Sequence, residues 1–581
     1  MHKLGLSLAV LLALSFPACA ATQTATKNAS QPTDALPKLV LQITIDQLRG
    51  DLPLRHQDRF GKGGFRYFLD KGTWFAAAHH SHSHTETIVG HGTLATGAQP
   101  SRHGLIGDKA FAQQSADDPE AAICSPQPAD TTTTDTGSSE SVQDSELMPV
   151  PGGATPESIL TTTFSDELLL QNDGRSKVFG ISWKDRAAVP MAGHTGKAFW
   201  FDMSSGCFSS STYYYTTYPQ WVTDWCGKRV PDQYKDVPWN LLNDKSTYVY
   251  RDVTNKYPAG TPPENNMVML DRLQFLRTFP HKIATAGSYY DALSISPFAD
   301  ELTAAFAKEL LQQEQLGKDA IPDYLSISFS ATDLGSHWFG PSSLESEDNL
   351  LRLDRTLEQL LAFIDKEVGL KNTLIVLAGD HGMSDYPEYL QTKKVSTGRI
   401  SMKLIRETAE AALKAKYGVD GIIGQYSHPW FYLCDDVMEQ NELDPIEVER
   451  VVAQAVLQLD GIALAIPNSD PHSPGLDNDA HTVTQIRNSY NARRSGNVYI
   501  VQRPHWQVDD TESGGPIFLS HGSPWAYDTY VPVAFAGANV PAALVYRGIS
   551  TVDVAATLAA YLRTKFPSGC TGKPLPEVVG K

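Results

Sequence analysis

Apolar and polar positions follow two different rhythms along this chain. From Lys38 to Ile45 (KLVLQITI), apolar or β-branched residues fill every position except Lys38 and Gln42. A run of this kind predicts a strand buried on both faces, not an alternating half-buried one. Comparable runs recur at Lys177–Ser182, Tyr324–Phe329, Thr373–Ala378, Val498–Val501 and Val531–Phe535. Between them the apolar positions change to helical spacing, which predicts helices over Ser158–Leu170 (with Thr155 as its cap), Ala299–Gln315 and Asn349–Val368. Strands alternating with helices predict an α/β fold, a mostly parallel central sheet with helices on both faces.

Two stretches break the rhythm. Asp117–Pro156 is rich in Thr, Ser, Asp, Gly and Pro and reads as a loop insertion. Gly206–Pro297 is Pro-rich and carries Tyr213-Tyr214-Tyr215, Trp221, Trp225 and Trp239, so it reads as an irregular cap. Residues 395–495 hold helical patterns at Ile400–Lys416 and Pro445–Gln458 and read as a small α+β insertion. The expected layout is a core in three pieces (38–205, 298–394 and 496–581), interrupted by insertions at 206–297 and 395–495. Internal repeats are absent from the sequence. Ahead of the core, residues 21–37 read as a disordered tether. Residues 1–20 have the form of a signal peptide: basic His2-Lys3, apolar Leu4–Phe16, and the small-residue site Ala18-Cys19-Ala20. A lipid-attachment reading of Cys19 is disfavoured, because Phe16-Pro17-Ala18 matches the usual pattern poorly. The expectation is a periplasmic or secreted protein without a membrane span.

Composition narrows the partners more than the fold. Of 581 residues, 41% are hydrophobic and 20% charged, ordinary values for a globular chain. A net charge of −18 with no Lys/Arg run argues against a nucleic-acid footprint, whereas small substrates answer to local charge alone. Nothing calls for a protein partner, so a monomer is the default. Export leaves Cys124, Cys207, Cys226, Cys434 and Cys570 in an oxidising compartment. There Cys207–Cys226 would close a modest loop, and the odd count leaves at least one thiol without a partner inside the chain. Cys434 follows apolar Phe431-Tyr432-Leu433 and suits unpaired burial equally well. None lies in a CxxC, so no metal is assigned to sulfur.

Candidate chemistry gathers at the ends of the strand-like runs. Asp46 ends the first, Asp333 follows Tyr324–Phe329, and Asp380-His381 follows Thr373–Ala378. Ligands of open α/β sheets bind beyond the carboxyl ends of strands. His521 is the exception, since it comes before a run. One such aspartate is more simply a helix cap, but four ligand-bearing segments are hard to explain by capping. The i,i+4 pair Asp333 and His337 shares one face of a helical turn, and Gly382 is expected to give Asp380-His381 the conformational freedom for a tight turn. Mixed Asp/His sets suit Zn²⁺ and also accept Mn²⁺ or Fe²⁺. Thr85–Gly107 supplies hydroxyls able to act as nucleophile, and His79, His80, His82 and His84 read as supporting residues. Lys184-Asp185-Arg186, if extended, puts two cations on one face, suited to phosphoryl oxygens.

These motifs resemble the alkaline phosphatase superfamily, in the threonine-nucleophile branch that holds single-chain bacterial alkaline phosphatases and nucleotide pyrophosphatase/phosphodiesterases. The likeness runs from Asp46 to about Gly537 through Thr87-Ile-Val-Gly-His91, Thr96-Gly97, Pro100 and His103-Gly104. It implies Thr87, favoured over Thr85, as nucleophile. One zinc would be held by Asp333, His337 and His521, and the other by Asp46, Asp380 and His381, with Thr87 as a further ligand. Lys184 and Arg186 match the phosphate-contacting pair of the monoesterases, which the phosphodiesterases lack. The sequence departs from the pattern at Asp108, where the family has an asparagine that donates to a phosphoryl oxygen; an ionised carboxylate donates nothing. The implied activity is hydrolysis of small phosphate monoesters through a phosphothreonine. The alternatives are a phosphodiesterase or phosphonate hydrolase of the same superfamily, and an inactive phosphate- or metal-binding homologue. A sulfatase C/S-x-P-x-R is absent from the nucleophile region, and no GxSxG elbow is present.

Overall fold

The computed structural model describes residues 35–108, 153–252, 279–283, 289–469, 480–509 and 519–580. The signal segment, nearly all of the tether, most of the Asp117–Pro156 loop and part of the aromatic insertion lie outside them.

Nine strands form one sheet: β1 (Leu39–Ile45), β2 (Thr73–His79), β3 (Val178–Ser182), β4 (Lys197–Asp202), β5 (Cys207–Ser209), β6 (Asp323–Phe329), β7 (Thr373–Gly379), β14 (Tyr530–Gly537) and β15 (Ala543–Ser550). Their order is β15-β2-β14-β7-β1-β6-β3-β4-β5. The pairs β7·β1, β1·β6, β6·β3, β3·β4 and β2·β15 are parallel. β14 runs antiparallel to β2 and β7, and β5 antiparallel to β4. The sheet is therefore mixed but mostly parallel.

All seven residues of β1 are buried, as its apolar run requires. Leu39, Leu41, Ile43 and Ile45 face one core, shared with α1 (Phe65–Lys71), α5 (Phe298–Gln313) and α7 (Leu344–Glu367). Val40 faces the other, with α2 (Thr87–Thr96), α3 (Phe164–Gln171) and α11 (Asp553–Leu562). Each large aliphatic side chain on these faces contributes roughly 1.5–3 kcal/mol by leaving water. Two further helices reach the site edge, α4 (Asp185–Ala192) and α6 (Ala331–Phe339).

The helix expected over Ser158–Leu170 begins later. Pro156–Ser158 is a separate 3₁₀ turn, and α3 starts after Thr163. Thr163 and Asp166 form a reciprocal capping box, whereas the Thr155 hydroxyl donates to Glu157. The run Val498–Val501 also differs from expectation. Its strand β12 (Val498–Gln502) lies in a separate antiparallel sheet, ordered β11-β12-β10-β9, with β9 (Ile423–Ser427), β10 (Trp430–Leu433) and β11 (Ile462–Pro467). A boundary at 496 thus cuts through that sheet. Helices α8 (Met402–Tyr417) and α9 (Pro445–Val456) pack on it, and β8 (Arg399–Ser401) pairs with β13 (Gln507–Asp509) beside it. Cys207 and Cys226 are disulfide-bonded, Cys434 is also disulfide-bonded, and Cys570 is a free thiol.

Candidate metal centre and nucleophile

Sheet direction brings the predicted site residues to one edge. Asp46, Asp333 and Asp380-His381 follow the carboxyl ends of β1, β6 and β7, and Thr87 opens α2 after β2. Because β14 runs the opposite way, its amino end lies at that same edge. His521, upstream of β14, is no exception once strand direction is known.

The candidate ligands fall into two groups, Asp333 with His337 and His521, and Asp46 with Asp380 and His381; within each, the ligand atoms lie within 4.8 Å of one another. Asp333 and His337 occupy one face of α6, with Nε2 3.1 Å from Oδ1. The groups abut: the rings of His381 and His521 stack with centroids 3.7 Å apart. Lys184 Nζ bridges them, 2.7 Å from Asp46 Oδ2 and bonded to Asp333 Oδ2.

Every imidazole is oriented from behind. Nδ1 of His337 lies 2.5 Å from Leu519 O, that of His381 3.0 Å from Gly382 O, and that of His521 2.7 Å from Thr85 O. A carbonyl only accepts, so each Nδ1 carries a proton and each Nε2 faces the carboxylates. Both Asp46 oxygens, Asp380 Oδ2 and His381 Nε2 are buried without an aligned hydrogen bond. Burial and the facing carboxylates of Asp333 and Asp380 push the Asp46 carboxyl up, with Lys184 pulling the other way. Burial opposes charge on His381, yet Asp380 and Asp46 push its imidazole up to about 10. Buried carboxylate oxygens and imidazole nitrogens gathered this closely, with a surplus of carboxylates, form donor sets that divalent cations would satisfy, so the residues fit such ions.

Thr87 is buried at the first position of α2 with its Oγ1 3.3 Å from Lys184 Nζ. A helix amino terminus favours negative charge there. The competing Thr85 hydroxyl is engaged by Ser523 O, to which it donates at 3.1 Å. Gly90 has a steric reason: an added Cβ would lie 2.1 Å from the Asp380 carbonyl oxygen. His91 then reaches Asp380 Oδ2 (3.1 Å), Thr87 O (2.8 Å) and Ser328 Oγ (2.9 Å). Gly382 departs from expectation, because its φ is not in the left-handed region; a Cβ would instead meet Tyr527 O at 2.2 Å.

Lys184 and Arg186 are not alternate residues of a strand. Lys184 is the cap residue of α4 and Arg186 lies in its first turn. Arg186 Nε is 2.7 Å from Asp108 Oδ2, and Asp108 Oδ1 accepts from Ile88 N at 3.0 Å. Burial pushes the Asp108 carboxyl up, with Arg186 offsetting it. Of the histidine tract, His80 Nε2 contacts Gly379 O and His84 Nδ1 contacts Gly522 O, each beside a candidate ligand. The sequence reading missed Gln47, whose backbone N–H donates to Asp380 Oδ1 and whose Nε2 donates to Asp333 Oδ1, both at 3.0 Å. Its one sequence signal is a polar residue directly after a candidate ligand. Glu86 was also missed; it accepts the Asp108 N–H at 2.7 Å.

Comparison with known proteins gives concordant matches. The family model described as type I phosphodiesterase / nucleotide pyrophosphatase matches residues 40–524. A Myroides odoratus protein named calcium-transporting ATPase is 29% identical over 548 residues, 94% of this chain and 95% of that one. Alkaline phosphatase PafA of Elizabethkingia meningoseptica is 30% identical over 564 residues, 95% of this chain and 96% of that one. The crystal structure of wild-type alkaline phosphatase PafA superposes with a TM-score of 0.78 at 28% identity, covering 94% of this chain and 100% of that one.

Proposed function

Because the chain belongs to the type I phosphodiesterase / nucleotide pyrophosphatase family of the alkaline phosphatase superfamily, we propose that it is an exported, zinc-dependent phosphomonoesterase acting through a covalent phosphothreonine. The observation that carries the reading is the convergence of Thr87, Lys184 and both Asp/His groups at one sheet edge. Asp333, His337 and His521 would hold one Zn²⁺ and Asp46, Asp380 and His381 the other, with Thr87 as a further ligand. Two such ions supply Lewis-acid stabilisation of the attacking and leaving oxygens.

The chain's own residues supply the rest. Thr87 Oγ1 attacks phosphorus, its bond to phosphorus forming as the ester P–O bond breaks and the alcohol departs. Water then attacks the phosphothreonine and releases inorganic phosphate and the threonine hydroxyl. Lys184, 3.3 Å from Thr87 Oγ1, and Arg186 offer positive charge to the non-bridging oxygens. The pair supports a monoester preference, since a dianion brings one more charged oxygen than a diester. The names alkaline phosphatase and calcium-transporting ATPase have phosphoryl transfer in common, the chemistry this site supports. Export rests on the basic, apolar and small-residue order of residues 1–20.

The test is acid quenching during turnover of a labelled monoester, followed by peptide mapping and metal analysis. We expect phosphate on Thr87 and two zinc ions per chain. Thr87→Ala should lose the label and at least roughly a thousandfold in kcat, and Thr87→Ser should keep part of both. Label on another residue, or an active Thr87→Ala protein, refutes the reading.

A further inference from the structure

Two anion anchors lie beside Thr87, the N–H groups of the first turn of α2 and the guanidinium of Arg186. Both are already engaged by one side chain. Asp108 Oδ1 accepts from Ile88 N at 3.0 Å, and Oδ2 pairs with Arg186 Nε at 2.7 Å. This carboxylate is held in place, because the Asp108 N–H donates at 2.7 Å to Glu86 Oε2, itself 3.2 Å from His84 Nε2. The side chains of Asp108 and Arg186 stay 24% and 32% exposed, whereas Thr87, Asp46, Asp380 and His381 are buried. Arg186 Nε itself is buried in that contact, so solvent, and a substrate, reach the pair from its exposed rim.

Building on the phosphomonoesterase reading, we propose that Asp108 is a specificity-determining residue, an internal carboxylate that competes with a substrate's phosphoryl oxygens for Arg186 and the α2 amino terminus. Its charge acts unequally on the two ester classes. A monoester dianion brings two negative charges toward Asp108 and a diester one, so the fixed carboxylate repels the dianion about twice as strongly. To grip a monoester, Arg186 must also give up part of its pairing with Asp108. Asp108 thus pulls the site toward diesters and weakens retention of inorganic phosphate, against the bias set by Lys184 and Arg186.

The test is Asp108→Asn, which keeps an acceptor oxygen for the Ile88 N–H and removes the charge. Folding is checked by the melting temperature and by zinc content. The ratio of kcat/KM for an aryl phosphate monoester over the matching diester should rise by roughly tenfold or more, and calorimetry should show tighter binding of inorganic phosphate. Arg186→Ala should then cost more monoester activity in the Asp108→Asn background than in the wild type, since the guanidinium is freed there. An unchanged ratio with unchanged phosphate affinity overturns the inference, as does a shift toward the diester. If neither protein hydrolyses monoesters, it is the phosphomonoesterase reading that fails, and tighter or unaltered phosphate binding still decides for or against Asp108.

Discussion

Gln47 sits two residues beyond β1, next to Asp46, with φ of 63°, a left-handed conformation that costs a residue with a side chain about 1 kcal/mol or more. The turn holds because its backbone N–H and side-chain amide each bond a different candidate ligand carboxylate, Asp380 and Asp333. Gln47 is thus a positioning residue, joining the two ligand groups without belonging to either. Gln47→Ala should lower zinc affinity by about tenfold to a hundredfold, the usual effect of losing a partner behind a ligand. A chelator-competition titration measures this, and affinity within twofold of wild type would remove Gln47 from that role. Candidate ligands were legible in the sequence because Asp46, Asp333 and Asp380 each follow an apolar run at or within a few residues of its end. Gln47 was not, since its amide acts on a carboxylate 286 positions away, and local patterns hold no trace of such a bond. Asp108 was visible as a departure, but its pairing with Arg186 depends on α4 starting at Asp185, which the extended reading of Lys184–Arg186 did not foresee.

Among the elements, strand direction did most to complete the site. The apolar run of β14 predicts a strand but is silent on its direction, so His521 looked out of place until the antiparallel pairing of β14 with β7 was known. β2 (TWFAAAH) went unread because three alanines carry no strand preference. β15 lies at the sheet edge, where Leu544 and Tyr546 are 50% and 75% exposed and blur the apolar pattern. The junction of α5 and α6 offers a stability test. Asp300, buried on α5, accepts from Ala331 N at 3.0 Å at the start of α6, and its Oδ2 has no partner. Burial pushes its carboxyl up to about 7, with backbone donors opposing. A carboxyl raised by folding binds more protons in the native state. Its contribution is therefore full below the unfolded value near 4 and is lost as pH rises through about 7. Asp300→Asn removes the ionising group and keeps the acceptor, so the variant should be more stable than wild type at pH 9, by on the order of a few kcal/mol, and should melt correspondingly higher, with most of that advantage lost at pH 5. An equal difference in melting temperature at both pH values would show that folding does not raise the Asp300 carboxyl.

At the scale of the whole molecule, the six candidate ligands come from four separate segments between Asp46 and His521, and nearly all of the fold must form before they can meet. The architecture was legible at this level because buried β runs and amphipathic helices alternate along the chain. The separate small sheet was not, because β12 (VYIVQ) is as apolar as a strand of the large sheet, and only its partners β10 and β11 distinguish it. Zinc bound at this edge would tie β1, β6, β7 and the segment before β14 together in the native state alone. Ligation of this kind stabilises by about 4 kcal/mol for each site held at a thousandfold excess over its dissociation constant. Removing the metal with a chelator should therefore lower the melting temperature by several degrees or more, and stoichiometric Zn²⁺ should restore it. In the double variant Asp46→Asn, Asp333→Asn, each group loses a carboxylate charge at nearly unchanged volume, so the melting temperature should become insensitive to both chelator and Zn²⁺. A chelator response that persists in that variant would mean that the stabilising metal lies elsewhere on the protein, and the bimetallic reading of this edge would have to be given up.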